Sequence, residues 1–123
     1  MMRLGTDLIE INRIQHAIER SERFLKRVYT SQEIAYCESK HKGMYQSYAG
    51  IYAAKEAFLK ALGTGLRYGS WQDIEVGHTD LGAPKLYITG SFREILDSQG
   101  LSKIIISISH CKDYAMSTVI LKG

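Results

Sequence analysis

Residues 47–65 read Ser47-Tyr-Ala-Gly-Ile-Tyr-Ala-Ala-Lys-Glu-Ala-Phe-Leu-Lys-Ala-Leu-Gly-Thr-Gly65. Good helix formers dominate from Tyr48 to Leu62, so the stretch predicts a helix, with Ser47 placed to cap its start and Gly63 placed to end it in the left-handed conformation. Glu56 and Lys60 lie one turn apart, and Tyr52 lies one turn before Glu56, so all three project from one side. Ile51, Ala54, Phe58, Ala61 and Leu62 project elsewhere and suit burial against a sheet, which leaves a polar stripe on a packed rod.

A Glu followed four residues later by a Lys is by itself an ordinary surface pair, worth about 0.3–0.5 kcal/mol, and spacing alone favours that reading. The loop that follows argues the other way. Gly63-Thr64-Gly65, then Arg67 and Gly69, would let the backbone approach a ligand closely. It is neither a Walker loop nor a dinucleotide fingerprint, because Gly65 is followed by Leu-Arg-Tyr-Gly and lacks both the Gly-Lys-Ser/Thr ending and the third glycine.

With 123 residues, 45% hydrophobic content and one proline, the chain is expected to form one domain over residues 1–123. The net charge of +3 suits a partner carrying phosphate or carboxylate groups without implying nucleic acid. Cys37 and Cys111 have no metal-ligand spacing and read as free thiols of a reducing cytosol. The opening Met-Met-Arg-Leu-Gly-Thr-Asp is unlike a signal peptide and no apolar run approaches transmembrane length, so a cytoplasmic protein without membrane contact is expected.

Arg3 to Ile9 reads as a first strand. Asp7 has two even readings: a carboxylate pointing into a cleft, or, with Glu10, a capping box for the next helix. From Asn12 the apolar residues Ile14, Ala17, Ile18, Phe24, Leu25 and Val28 keep a helical period, with a break near Ser21. If that helix continues, His16, Arg20, Arg23 and Arg27 fall on one side with Arg13 and Lys26 nearby, a basic stripe that is ordinarily just solvated. Thr30 and Glu33 form a capping box for a third helix with Ile34 and Cys37 inward, closed by Lys40-His41-Lys42 and stopped by Gly43.

Beyond the central helix, Trp71–Gly77 and Lys85–Thr89 predict a hairpin, and Ser91 caps a short helix that ends at Gly100. Lys103–His110 and Tyr114–Leu121 predict a second hairpin turned by Cys111-Lys112-Asp113, which leaves His110 at a strand end. This order of elements indicates an α+β fold, a largely antiparallel sheet packed on the long central helix.

Taken together, Gly5-Thr6-Asp7, Ala54-Lys55-Glu56-Ala57-Phe58-Leu59-Lys60-Ala61-Leu62-Gly63-Thr64-Gly65, and Ile106-Ser107-Ile108-Ser109-His110 with Tyr114-Ala115 resemble the small stand-alone 4′-phosphopantetheinyl transferases, the holo-[acyl-carrier-protein] synthases. The resemblance implies magnesium-dependent transfer of the phosphopantetheine arm of coenzyme A to a serine of apo acyl carrier protein, releasing adenosine 3′,5′-bisphosphate, in fatty acid synthesis. By matching motif it implies Asp7 and Glu56 as metal ligands, Lys60 and the Gly63, Thr64 and Gly65 backbone at the nucleotide phosphates, and His110 at the 3′-phosphate or ribose. Glu56 or a metal-bound water would take the serine proton. Arg13, Arg20, Arg23 and Arg27 would then face the acidic carrier protein.

The resemblance further implies a homotrimer with active sites between subunits. One departure stands out: Ile51 occupies a position where such transferases often carry Arg, and Arg67, Lys40 or Lys42 could supply the missing phosphate contact. Two other classes fit less of the sequence. A phosphate-binding module would use the basic helix but leave Asp7 idle, and an oligomeric scaffold on the isoleucine-rich strands would explain no polar residue.

Overall fold

The computed structural model describes residues 1–123. β1 (Met2–Glu10) leads into α1 (Ile11–Arg20), α2 (Glu22–Val28) and α3 (Ser31–Glu38), and a 3-10 turn at His41–Gly43 runs directly into α4 (Met44–Leu62). After 3-10 turns at Gly65–Tyr68 and Trp71–Asp73 come β2 (Ile74–His78), β3 (Pro84–Ile88), α5 (Gly90–Ser98), β4 (Lys103–His110) and β5 (Tyr114–Lys122). All strand pairs are antiparallel, as expected of this α+β fold, but the sheet is divided: β1-β5-β4 form one and the β2-β3 hairpin the other.

The 19 residues of α4 run through both halves of the core. Its C-terminal half packs Phe58 and Leu62 against Ile74, Phe92, Leu96, Val119 and Leu121, and its N-terminal half packs Tyr48 and Ile51 against Ile11, Ile14, Val28, Tyr29 and Val76. Small residues let β1 cross it closely. A Cβ on Gly5 would overlap the Ala57 carbonyl oxygen and lie 2.5 Å from the Ala61 nitrogen, so only glycine allows this approach. At the far end Gly63 adopts φ 82° and closes the helix as the sequence predicts, while Arg3 Nη1 donates to the Leu62 carbonyl at 2.9 Å.

Several boundaries differ from the sequence reading. Ser47 does not cap α4, because the His41–Gly43 turn propagates into a helix already formed at Met44. Gly43 accordingly precedes α4 rather than stopping α3, which ends at Glu38. Asp7 caps nothing: it lies within β1 opposite Ser117, and the residue before α1 is Glu10, whose side chain makes no capping bond. Trp71 belongs to a 3-10 turn instead of β2, and α5 starts at Gly90 after Thr89 without a cap from Ser91. Ser21 does break the first helix, and its side chain accepts from the Phe24 N–H at 3.1 Å to start α2. The capping box of Thr30 and Glu33 forms, and both cysteines are free. Burial pushes the Cys37 thiol up to about 12, which leaves it without nucleophilic character at neutral pH.

One charged pair lies wholly inside. Lys55 and Glu33 are both fully buried with Nζ 2.7 Å from Oε1, and Lys55 also donates to the Val28 carbonyl at 2.6 Å and the Trp71 carbonyl at 3.1 Å. Glu33 accepts in addition from the Thr30 N–H at 2.9 Å and the Val76 N–H at 2.7 Å. Burial pushes Glu33 up and Lys55 down, each toward its neutral form, and their mutual attraction opposes both shifts.

The crossing at Gly5 is the least tolerant point of this packing. Gly5→Ala is expected to destabilise the fold by about 3 kcal/mol or more, the upper range for overpacking, read as a lower urea midpoint at unchanged m-value.

Candidate active site

Side chains alternate along β1, so the face that buries Gly5 against α4 also presents Asp7 to that helix. On α4 the one-turn spacing brings Tyr52, Glu56 and Lys60 to the flank beside β1. Lys60 Nζ lies 3.0 Å from Asp7 Oδ1 and donates to the Thr6 carbonyl at 3.1 Å. The Tyr52 hydroxyl donates to Glu56 Oε1 at 3.4 Å. The Asp7 side chain is 13% exposed and that of Lys60 53% exposed, so the group is anchored on the inside and open on the outside.

The Asp7 carboxylate acts on its neighbour Glu56. Burial first, and then the neighbouring Asp7 charge, push Glu56 above the ordinary carboxylate range, while Lys60 and the Tyr52 hydrogen bond pull the other way. Tyr52 is itself raised by burial and by the charges of Glu56 and Asp7. No cluster of three or more His, Cys, Asp or Glu side chains exists, so the protein offers this carboxylate pair and no full cage. Such a donor set fits a magnesium ion, which takes one or two carboxylates and completes its octahedron with water and phosphate oxygens. A dication would also relieve the repulsion between the two carboxylates.

The remaining predicted residues are distributed around this group. Gly63, Thr64 and Gly65 follow Lys60 at the end of α4, with Gly65 at φ 61° and open space where a Cβ would stand. Arg13 lines a small cleft with Phe24 and Tyr52 next to Glu56. Arg13, Arg20, Arg23 and Arg27 are all exposed, though the break at Ser21 divides them between α1 and α2 and the expected single helical stripe does not form.

His110 is not brought to Asp7 and Glu56 within the chain. It lines a separate cleft with Tyr36, Gln46, Ser47, Ile51 and His78, where α4 packs on β4 through Gly50 and Ile108. Tyr36 and His78 stack there with ring centroids 3.8 Å apart, and Lys40 Nζ lies 4.7 Å over Tyr36. Burial, then the Lys40 charge, pushes His78 down. Of the cations named for the place of Ile51, Lys40 therefore lies beside this cleft, whereas Arg67 follows Gly65 and sits over Tyr68.

Residues 3–119 match the 4′-phosphopantetheinyl transferase superfamily. The chain belongs to this superfamily. It is 45% identical over 122 residues to the holo-[acyl-carrier-protein] synthase of Ruminiclostridium cellulolyticum, covering 98% of this chain and 91% of that one. Among solved structures it resembles the holo-[acyl-carrier-protein] synthase of Neisseria meningitidis, with a TM-score of 0.88 and 31% identity over 98% of each chain. It also resembles the Helicobacter pylori synthase in complex with coenzyme A, with a TM-score of 0.84 and 30% identity over 97% of this chain and 99% of that chain.

In this transferase-superfamily chain, sequence reasoning singled out the Asp7, Glu56 and Lys60 group and missed the Lys55–Glu33 pair. The signal was available in part: Ile51, Lys55, Phe58 and Leu62 share one helical face, so Lys55 interrupts an apolar stripe. No spacing pointed from it to Glu33.

The raised Glu56 has a consequence for stability. A carboxyl with a folded-state pKa above its unfolded value contributes stability that is fully present below the unfolded pKa and lost as pH rises through the folded one. Glu56→Gln is therefore expected to be more stable than the wild type near neutral pH in chelator, with the difference vanishing in acid; denaturant melts between pH 4 and pH 8 would show it.

Proposed function

We propose that the chain transfers the 4′-phosphopantetheine group of coenzyme A to a serine of apo acyl carrier protein, giving holo acyl carrier protein and adenosine 3′,5′-bisphosphate in support of fatty acid synthesis. The observation that carries this reading is the meeting of Asp7, Glu56 and Lys60 on one flank of α4, in a chain whose residues 3–119 match the superfamily. Residues 1–123 act as one phosphopantetheinyl transferase domain in the cytoplasm; no helix is long and apolar enough to cross a membrane.

The chemistry follows from the geometry. Asp7 and Glu56 would hold magnesium, which would supply positive charge to offset that of the pyrophosphate and the departing bisphosphate. Lys60, anchored at Asp7 and half exposed, reaches a phosphate oxygen, and the Gly63, Thr64 and Gly65 backbone passes close to the nucleotide. The carrier serine oxygen attacks the phosphorus that bears the pantetheine arm. The bond from that phosphorus to the bridging oxygen breaks and its electrons leave with the bisphosphate. Glu56 would accept the serine proton. Arg13, Arg20, Arg23 and Arg27, exposed along α1 and α2, draw in an acidic carrier and orient it above this flank.

A homotrimer with sites between subunits accounts for two further features. His110 and its cleft lie on the other flank of α4 from Asp7, so a neighbouring copy can bring the nucleotide-binding half to the carboxylate half. The outer face of the three-stranded sheet also exposes Met2, Leu4, Leu8, Ile105, Tyr114 and Met116, an apolar surface suited to a partner.

Mass spectrometry of an apo carrier protein with coenzyme A is expected to show gain of one phosphopantetheine that depends on magnesium and is lost in Glu56→Gln. Absence of the gain with several apo carriers would refute the activity. Separately, Leu4→Glu is expected to convert the assembly to monomers in light scattering and to lower transfer at least about tenfold; a trimeric, active Leu4→Glu protein would refute the interface.

A further inference from the structure

Glu56 is held by more than its place on α4. The Tyr52 hydroxyl supplies its one side-chain hydrogen bond, since the Lys60 ammonium is engaged with Asp7 and the Thr6 carbonyl instead. At 3.4 Å that bond depends on where the Tyr52 ring stands. The ring is bracketed by two aromatic residues from outside the helix. Trp71, in the turn before β2, has its ring centroid 5.3 Å away, and Phe24 of α2 lies at 6.4 Å.

Both brackets are fastened by the same buried cation. Lys55 donates to the Trp71 carbonyl, which fixes the backbone of one bracket, and to the Val28 carbonyl at the end of α2, which fixes the helix carrying the other. Glu33 neutralises Lys55 and takes the Val76 N–H just beyond the Trp71 turn. An ion pair with no solvent access and no spare donor is thus connected, through two aromatic contacts, to the one hydroxyl that holds Glu56.

We propose that Tyr52 is a positioning residue whose hydroxyl holds the Glu56 carboxylate for the divalent cation, and that the buried Lys55–Glu33 pair sets Tyr52 through Trp71 and Phe24. The proposal rests on the reading of Glu56 as a metal ligand given above. Partners that orient a ligating carboxylate characteristically change metal affinity by about 10–100-fold when removed.

Mn2+ binding followed by electron paramagnetic resonance, in the presence of coenzyme A, tests this apart from turnover. Tyr52→Phe keeps the bracketed ring and is expected to leave the unfolding midpoint near that of the wild type, while Mn2+ affinity falls about tenfold and kcat falls with little change in KM for the carrier. Affinity within twofold of the wild type would overturn the role of Tyr52. A wild-type protein that binds no Mn2+ would instead overturn the metal reading, and this proposal with it.

The frame is tested by the paired substitution Glu33→Leu with Lys55→Met, which replaces the ion pair by apolar groups and is expected to fold. It should weaken Mn2+ binding in the wild-type background and add nothing in the Tyr52→Phe background. An equal loss in both backgrounds, or no loss in either, would overturn the link through Tyr52. Should the paired protein fail to fold, Phe24→Leu loosens one bracket and carries the same two expectations.

Discussion

A lysine ammonium placed where no water reaches must find acceptors for all its protons, and Lys55 finds them on three different parts of the chain. Glu33 lies on α3, the Val28 carbonyl ends α2, and the Trp71 carbonyl lies in the turn before the small sheet. None of these can move away without stranding a buried charge, a loss on the order of 3–5 kcal/mol. The helices that pack on the N-terminal half of α4 are therefore located by polar contacts as well as by apolar packing. The ammonium at the last carbonyl of α2 also opposes that helix's negative end.

The close crossing at Gly5 does for the sheet what Lys55 does for the helical layer. With no side chain at Gly5 and only methyl groups at Ala57 and Ala61, β1 lies directly on α4. That contact fixes the height of Asp7 above the helix two residues further along the same strand face. Glu56 and Lys60 flank Ala57, so the residues that permit the approach alternate with those that meet Asp7. Packing and site are thus settled by one backbone crossing, and a change in its separation would move Asp7 relative to Glu56.

How much of this could be read beforehand depended on whether the cause was local. Helix propensity and the left-handed glycine at Gly63 marked the end of α4, and the capping box at Thr30 marked the start of α3, because both are settled within one turn of chain. The start of α4 was misplaced because the preceding 3-10 turn feeds into the helix, an event that a capping residue at Ser47 does not report. Asp7 stood between two readings until its strand partner, Ser117, was known. Glu33 carried a visible local role in the capping box, and that role concealed its second, as the partner of a lysine far along the chain. The division of the sheet and the separation of His110 from Asp7 are likewise products of long-range pairing.

Two lysines five residues apart on α4, each paired with a carboxylate from another element, show what closes one pair and leaves the other open to a ligand. Lys55 and Glu33 have no exposure, and Lys55 spends its ammonium on three acceptors while Glu33 takes two backbone donors besides, so neither group retains capacity for a ligand. Lys60 and Asp7 have similar N–O separation, but the lysine is 53% exposed and Asp7 meets a second carboxylate as well as a cation. The repulsion there is only partly offset, since the ammonium is screened by solvent and Glu56 keeps a single long hydrogen bond from Tyr52. Unspent acceptor capacity, negative charge in excess of its local compensation and an open outer side are what a hard cation and a phosphate require. A lysine five residues earlier and facing inward gives a closed brace, so on this helix the capacity to take a ligand is set by which face meets water.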